Sequence, residues 1–325
     1  MTPEEKLPDF RGREAVASRR FDPRTATPFV NKSVSEETRR AYRRTVADFF
    51  QFIGGKHPTE VVPNDVLRWR DHLRAGRKRP ATVSFKLSVV RSFFEYLKAG
   101  GVVPLNPAST KLVRPPELPS EPAGRALTAK EVRHLLSGPD RGKPEGARDY
   151  ALMLVMLRLS LRVAEACALR SSSVKWSHGR WTLRCKVKGG REEVWPLPKE
   201  VKEAVDTYLK LDAKRRELMH SDGAEAFLFQ PHLNYRTLTF DKGLSSRMVQ
   251  KIVSKWGSFT GVGDVSPHDL RRTAITRALD SGLSYRQVQM MSKHKDPKTV
   301  MRYDHGRENL DQNAVNFLKY DEEQL

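Results

Sequence analysis

The distribution of apolar residues predicts a series of helices in the first third of the chain. The first apolar stripe follows Ser33, which has capping-box spacing with Glu36, and it stops at Gly54. Further stripes run from about 64 to 76 and from about 82 to 99, and each ends at a glycine. The pattern therefore predicts a small all-helical domain within residues 33–112.

The helical periodicity is absent on both sides of this domain. Residues 1–32 are polar and arginine-rich and predict a flexible basic tail, which is either a disordered end or a contact with phosphates. Residues 113–126 are rich in proline and lack a core pattern, which is typical of a linker. The remaining residues, 127–325, are expected to form a second domain.

The second domain combines helical and strand-like patterns. A capping box at Thr128 and Glu131 predicts a helix start, and apolar helices are predicted at about 148–160 and 164–169. Alternation typical of strands follows at 174–197, before helical patterns return. The expected fold class is mostly α, with an N-terminal helical domain and a C-terminal α+β domain that carries a small antiparallel sheet.

Basic residues outnumber acidic ones by 59 to 39, which gives a formal net charge of +20. An excess of this size favours a polyanionic partner, and its spread along folded segments favours a broad DNA contact surface. In the first domain, the polar helix faces carry basic residues that are either solvated charges or DNA contacts. They are Arg39, Arg40, Arg43, Arg44, Lys86 and Arg91.

Other classes of protein find little support in the composition. The two cysteines, Cys167 and Cys185, are too few for a disulfide framework or a cysteine-rich zinc site, and they fit a reduced compartment. The sequence opens without an apolar signal segment, and the most apolar run, 150–161, is too short for a bilayer. We therefore expect a cytoplasmic, nucleoid-associated protein with no membrane partner.

Candidate catalytic residues lie in four separate segments of the second domain. Taken alone, Arg162 fits a solvated charge or an ion pair with Glu165, and Lys188, at a Gly-Gly turn, fits a solvated hairpin. His268 and Arg271 are three residues apart and share a helix face, which suits an anionic reaction centre as well as a structural role.

The fourth segment contains His294 and, nine positions later on an expected helix, Tyr303, and either residue also fits ordinary core or surface. In order and spacing, the four segments resemble the catalytic motifs of the tyrosine recombinases, the phage-integrase family, and most closely its compact members such as the Xer and Cre recombinases. The segments are LSLRVAEACAL (159–169), KVKGGREEVWPL (186–197), PHDLRRTAITRAL (267–279) and MSKHKDPKTVMRYDH (291–305).

The resemblance implies a catalytic role for each residue. Tyr303 would attack the phosphodiester and Lys188 would protonate the 5′-hydroxyl that leaves. Permanently charged guanidinium groups suit the charge that builds on the phosphate oxygens, and His294 would add a third donor there. His268 would accept or share the tyrosine proton. The implied catalytic residues are Arg162, Lys188, His268, Arg271, His294 and Tyr303, with Glu165 as the residue that orients Arg162.

Two departures from the family pattern stand beside catalytic residues. Leu159-Ser160-Leu161 stands where the family usually has Thr-Gly before the first arginine, and Ser292-Lys293 stands where it usually has Leu-Gly before the second histidine. The second change predicts a turn of different shape. Neither change removes a catalytic group.

By this resemblance, the chain would have a SAM-like core-binding domain and would act as a site-specific recombinase for a mobile element or replicon. It would form a 3′-phosphotyrosyl intermediate and a Holliday junction as a homo-tetramer on double-stranded DNA target sites. The chemistry conserves bond energy, so no cofactor and no metal site are expected. A type IB topoisomerase and a catalytically inert DNA-binding regulator are the alternatives, and the need for an accessory protein is left open.

Overall fold

The computed structural model describes residues 20–33, 35–117, 124–187, 190–219, 226–232, 242–304 and 314–316. The chain divides into two compact units, Met1–Pro119 and Ser120–Leu325. The division falls inside the proline-rich segment that the sequence analysis interprets as a linker.

The first unit is built from helices that follow their sequence signals. They are α1 (Thr27–Asn31), α2 (Glu36–Phe52), α3 (Pro63–Ala75) and α4 (Pro80–Ala99). Proline suits the first position of α3 and α4 because the N–H at that position has no partner within a helix. One expectation is wrong in detail, since the N-cap of α2 is Ser35 rather than Ser33.

Aromatic side chains fill the core of the first unit. Phe49 has no exposed surface, and its ring meets Trp69 edge-on at 5.1 Å and Phe50 at 5.2 Å. Phe93 and Phe94 of α4 lie against the same cluster, with their ring centroids 5.6 Å apart. Because each aromatic ring buries a large apolar area, a few residues stabilise this small domain.

The prediction of a flexible tail is wrong for residues 20–32. A 3₁₀ turn (Pro23–Ala26) and α1 fold onto the bundle, and Phe29 is only 2% exposed. The main-chain N–H of Phe21 also donates to the oxygen of Gly55 at 2.8 Å. Elements of four or five residues are too short to produce an apolar stripe, so the periodicity analysis missed them. Residues 1–19 lie outside the described part of the chain.

The second unit is formed around α6, which is buried along most of its length and packs against α8 and α11. A helix that is apolar on nearly every side is expected to lie inside a domain. The helices of this unit are α5 (Ala129–Ser137), α6 (Pro144–Leu159), α7 (Val163–Ala168), α8 (Lys199–Leu211), α9 (Ala213–Met219), α10 (Ser246–Phe259), α11 (Pro267–Asp280), α12 (Tyr285–Ser292) and α13 (Pro297–Met301).

The predicted strand region forms an antiparallel sheet of order β1-β2-β3. Its strands are β1 (Val174–Ser177), β2 (Arg180–Lys186) and β3 (Glu192–Pro196). Leu183 lies opposite Trp195, and both side chains face the core. The Trp195 indole donates to the main-chain oxygen of Met291 at 2.7 Å, which ties the sheet to α12.

This architecture confirms the expected fold class of a helical N-terminal unit and a mostly helical unit with a small sheet. No helix in the described part of the chain is long and apolar enough to cross a membrane.

Candidate active site

Arg271 lies at the centre of the candidate site and is only 2% exposed. It belongs to the first turns of α11, whose start is fixed by a capping box between Ser266 and Asp269. Its guanidinium donates to the main-chain oxygens of Ser160 and, at 2.7 Å, of Ser292. It also lies 3.0 Å from Nε2 of His294.

The oxygens that bind Arg271 lie at the C-terminal ends of two helices. Ser160 caps α6, and Ser292 is the last residue of α12. Carbonyl groups at helix C-termini lack partners within the helix and carry the negative end of its dipole. They therefore stabilise a buried positive charge and fix the plane of the guanidinium.

The two positions at which the sequence departs from the family pattern lie at these helix ends. In each of them one residue, Ser160 or Lys293, has a left-handed backbone conformation. Ser160 has φ +55° and Lys293 has φ +53°, a region that glycine enters with little strain. Lys293 thus adopts a backbone conformation that a glycine at this position would favour. The buried Ser160 hydroxyl has no hydrogen-bond partner among the described residues.

Arg162 and Glu165 form the pair that the sequence suggests. Arg162 is the N-cap of α7, and its main-chain N–H donates to Oε2 of Glu165 at 2.7 Å. Its guanidinium donates to Oε1 of the same carboxylate at 2.8 Å. The Glu165 side chain is 5% exposed and that of Arg162 is 41% exposed, so a buried carboxylate holds a guanidinium that reaches the surface.

His294 is held in its neutral form. A guanidinium only donates hydrogen bonds, so Nε2 of His294 accepts from Arg271 and the ring proton lies on Nδ1. Nδ1 in turn lies 2.9 Å from the Ser292 hydroxyl, which can accept a hydrogen bond from the Nδ1–H group. Burial, followed by the charges of Arg271 and Arg162, lowers the pKa of His294 to about 4.

His268 lies in the first turn of α11 with an exposed side chain. Partial loss of hydration, followed by the charge of Arg271, lowers its pKa below the usual range. Burial and the charge of Arg162 also lower the pKa of Arg271 to about 10. These mutual effects place Arg162, His268, Arg271 and His294 in one electrostatic neighbourhood.

Tyr303 is 5% exposed and packs in a small core with Ile275, Val288 and Val300. The His294 ring lies nearly parallel to the phenol ring, with 6.0 Å between centroids and 24° between planes. The expectation that Tyr303 lies on a helix is wrong, because α13 ends at Met301 and Tyr303 occupies the turn that follows. Asp296 is the N-cap and Pro297 the first residue of this helix, which has only five residues.

Lys188 lies outside the described residues, so its position stays a prediction. Its flanks form the expected hairpin, in which the Val187 N–H donates to the Arg191 oxygen at 2.8 Å. After Asp304, the structure describes a 3₁₀ turn at Ala314–Asn316.

The basic residues of the first unit separate into two groups. Arg43 and Arg44 are exposed on α2, as is Arg40, whose side chain is 75% exposed beside Glu36. The other group makes internal contacts. Arg39 donates to the Ser33 oxygen at 2.6 Å, Lys86 pairs with Asp48 at 2.6 Å, and Arg91 donates to the Ala108 oxygen at 2.8 Å.

The sequence analysis missed some residues that build the site. It did not single out Ser160 and Ser292 as sources of main-chain acceptors, because a main-chain contact leaves no mark on residue type. Arg272, whose guanidinium carbon lies 5.5 Å from the Tyr303 ring centroid, was also missed. Arg272 is the second arginine of the PHDLRRT segment, and the sequence pattern alone does not distinguish it from an exposed arginine.

Comparison with known proteins agrees with this geometry. The family model of the phage integrase family matches residues 125–309, and that of the phage integrase N-terminal SAM-like domain matches residues 27–101. Tyrosine recombinase XerC of Roseiflexus sp. (strain RS-1) is 30% identical over 278 residues, which cover 84% of this chain and 85% of that protein. Tyrosine recombinase XerD of Lacticaseibacillus casei is 27% identical, over 85% and 90% of the two chains.

Solved structures share the fold. The Tn1549 transposon integrase in complex with circular intermediate DNA has a TM-score of 0.66 at 15% identity, over 91% of this chain and 99% of that one. The XerH site-specific recombinase bound to difH substrate has a TM-score of 0.66 at 16% identity, over 92% and 85% of the two chains.

Family match and fold define the class of protein as an enzyme of DNA strand breakage and rejoining. The chain belongs to the phage integrase family and is a tyrosine recombinase that carries out site-specific recombination.

Proposed function

We propose that this recombinase binds double-stranded DNA target sites and cleaves them through a covalent bond to Tyr303. The observation that carries the proposal is the arrangement of Arg271, His294 and Tyr303, in which a buried guanidinium and a neutral imidazole are fixed beside a buried phenol. A guanidinium fixed in this way suits the negative charge that develops when a phosphodiester is attacked.

Arg271 can meet a phosphate without giving up the contacts that orient it. A guanidinium has five N–H donors, and the contacts with Ser160, Ser292 and His294 account for three of them among the described residues. In the proposed complex, the remaining donors bind a non-bridging phosphate oxygen. Arg162, which Glu165 holds at the surface, supplies the second guanidinium.

In the proposed chemical step, Tyr303 is the nucleophile, His268 accepts a proton and Lys188 donates one. The Tyr303 oxygen attacks the phosphorus while its proton passes to His268, whose lowered pKa keeps the imidazole neutral and able to accept it. The bond from phosphorus to the 5′-oxygen breaks, and that oxygen takes a proton from Lys188. The product is a 3′-phosphotyrosyl bond and a free 5′-hydroxyl, and reversal of the same steps rejoins a strand.

Strand exchange in this proposal needs two DNA sites and four protomers. A homo-tetramer would exchange one pair of strands at a time and pass through a Holliday junction, either for a mobile element or for a replicon. The structural neighbours are described as bound to a transposon circular intermediate and to a difH substrate, and these descriptions support DNA as the partner class. An accessory protein is compatible with the proposal and is not required by it.

The test is covalent capture. Target sites are first selected from a random duplex pool by binding to the full-length Tyr303→Phe protein. A selected site is then nicked near the cleavage position so that the freed end diffuses away, and adducts are separated on denaturing gels. Wild type and the matched control Tyr150→Phe are expected to give an adduct, and Tyr303→Phe none.

Other outcomes separate the alternatives. An adduct with Tyr303→Phe would contradict the assignment of the nucleophile. Selective binding without any adduct would favour an inert DNA-binding regulator. Relaxation of a supercoiled plasmid without exchange between two selected sites would favour a topoisomerase-like activity.

A further inference from the structure

Arg272 follows Arg271 on α11 but faces another part of the site. Successive helix residues are rotated by about 100°, so Arg272 points away from the carbonyl groups that hold Arg271. Its side chain is buried, with 2% exposure, and its guanidinium carbon lies 5.5 Å from the centroid of the Tyr303 ring. This distance is within the range of a cation–π contact, which is stronger when desolvated.

A second residue of α11 lies against the same turn. Thr276 is one helical turn beyond Arg272, so the two side chains share a face of the helix. The Thr276 hydroxyl lies 3.5 Å from the main-chain oxygen of Tyr303. The face of α11 formed by Arg272 and Thr276 is therefore the surface on which the Tyr303 turn rests.

The chain just before α5 fixes this part of α11 from another side. The Arg125 N–H donates to Oδ1 of Asp269 at 3.0 Å, and the Leu127 N–H donates to the Thr273 hydroxyl at 2.8 Å. Gly124 has φ +105°, and a Cβ at that position would lie 2.3 Å from Asp269 Oδ1 and 3.6 Å from Nε of Arg272. Only glycine fits this close approach, which places a strap, residues 124–127, beside Asp269 and the Nε end of the Arg272 side chain.

We propose that Arg272 is a positioning residue for Tyr303, which holds the phenol ring in its buried place beside His294. Its relevance to cleavage rests on the proposed function, but its effect on the ring does not. A planar guanidinium can lie against an aromatic ring while the strap packs beside it, whereas a flexible ammonium covers the ring less well. Loss of the guanidinium is expected to free the Tyr303 turn without unfolding the domain.

The first test needs no DNA. Full-length wild type, Arg272→Met, Arg272→Lys and the control Arg277→Met are treated with tetranitromethane, and nitration of each tyrosine is followed by peptide mass spectrometry. Tyr208, which has no exposed surface, reports global unfolding, and N-acetyltyrosinamide added to each reaction normalises reagent activity. Arg277→Met removes an exposed charge from the same helix.

The expected nitration pattern is specific to Tyr303. Its nitration rate should rise about tenfold in Arg272→Met, as expected for loss of one desolvated cation–π contact, and by less in Arg272→Lys. It should stay at the wild-type rate in Arg277→Met, with Tyr208 unreactive throughout. An unchanged Tyr303 rate in Arg272→Met would overturn the proposal, and so would a Tyr208 rate that rises in step with it, because that result indicates a purely structural role.

The second test links the ring position to cleavage. In covalent capture at saturating protein, Arg272→Met should form adduct at least about tenfold more slowly than wild type, with partial rescue by Arg272→Lys. A wild-type adduct with equal rates in all variants would show that Arg272 does not position Tyr303 for reaction. A wild-type protein that forms no adduct would count against the proposed function, and the nitration result would still decide the position of the ring.

Discussion

The exposed arginines of α2 and the buried arginines of α11 show how far environment changes the use of one residue type. Arg40, Arg43 and Arg44 face solvent, where charge is screened and side chains move freely. Arg271 and Arg272 are each 2% exposed, and their contacts fix both position and plane. The exposed arginines of α2 can act through the electric field that they produce together, whereas the buried arginines of α11 act through the fixed positions of their guanidinium groups.

The largest expected difference between the two groups follows from replacement by lysine. Arg271→Lys cannot span two carbonyl oxygens and His294 with a point charge, so we expect the capture rate to fall by about a thousandfold. Arg43→Lys keeps the charge on α2, and we expect a change of less than about twofold. Single-turnover capture at saturating protein measures both rates. Equal losses in the two variants would show that burial does not distinguish these arginines.

Buried arginines should also keep neighbouring histidines neutral. Burial, followed by the charge of Arg148, lowers the pKa of His232 to about 4. The unfolded chain, with a pKa near 6.5 for histidine, therefore takes up the proton first as the pH falls. The stability linked to neutral His232 is complete above about pH 6.5 and is lost as the pH falls towards about 4, by at most about 3 kcal/mol.

Urea unfolding of wild type and His232→Gln between pH 7 and pH 4.5 measures this linkage. The variant should lose less stability over this interval than wild type, because it cannot bind the proton. Identical slopes in the two proteins would mean that His232 does not titrate on unfolding in this interval.

The exposed arginines of α2 are expected to affect how strongly the DNA affinity depends on salt concentration. If Arg40, Arg43 and Arg44 contact phosphates, their joint replacement by glutamine should reduce the slope of log K against log salt by about two to three. The free energy of unfolding should hardly change. Arg91→Gln is the matched contrast, because Arg91 donates to the Ala108 oxygen, and it should lower stability by about 1 kcal/mol without changing the salt slope. If the triple variant lost stability and Arg91→Gln reduced the salt slope, the α2 arginines would be structural and Arg91 would contact DNA.

The smallest expected effect concerns the carbonyl groups around Arg271. Ser160→Gly should stabilise the protein by about 1 kcal/mol, because it relieves left-handed backbone and removes a buried hydroxyl. Lys293→Gly relieves the same strain but loses an ion pair with Glu193 at 3.2 Å, so its effect should be smaller or opposite. Thermal unfolding of both variants checks the order.

The sequence predicted most of the fold because its long elements carry strong periodic signals. The aromatic stripe of α2, the apolar run of α6 and the alternation at 174–197 all appear as expected. The segment 20–32 was missed because its elements are short, and its burial depends on contacts with α2 and α4, such as those of Phe29 with Tyr42 and Phe93. Local patterns do not report such tertiary packing.

The candidate site was predictable by residue type but not by geometry. The placement of His268 and Arg271 on one helix follows from sequence alone, and the pairing of Arg162 with Glu165 is one of the two interpretations that the sequence left open. The contacts of Arg271 with main-chain oxygens do not follow from sequence, since any residue supplies a carbonyl group. The place of Tyr303 after α13, rather than on it, depends on packing against α11 and α12.

The central claim is the covalent bond between DNA and Tyr303, and mapping that bond tests it most directly. Captured adduct is digested with nuclease and trypsin, and the modified peptide is identified by mass spectrometry. The expected peptide is YDHGR (303–307), with a nucleotide joined to the tyrosine oxygen through its 3′-phosphate. A nucleotide on another residue, or joined through a 5′-phosphate, would contradict the account.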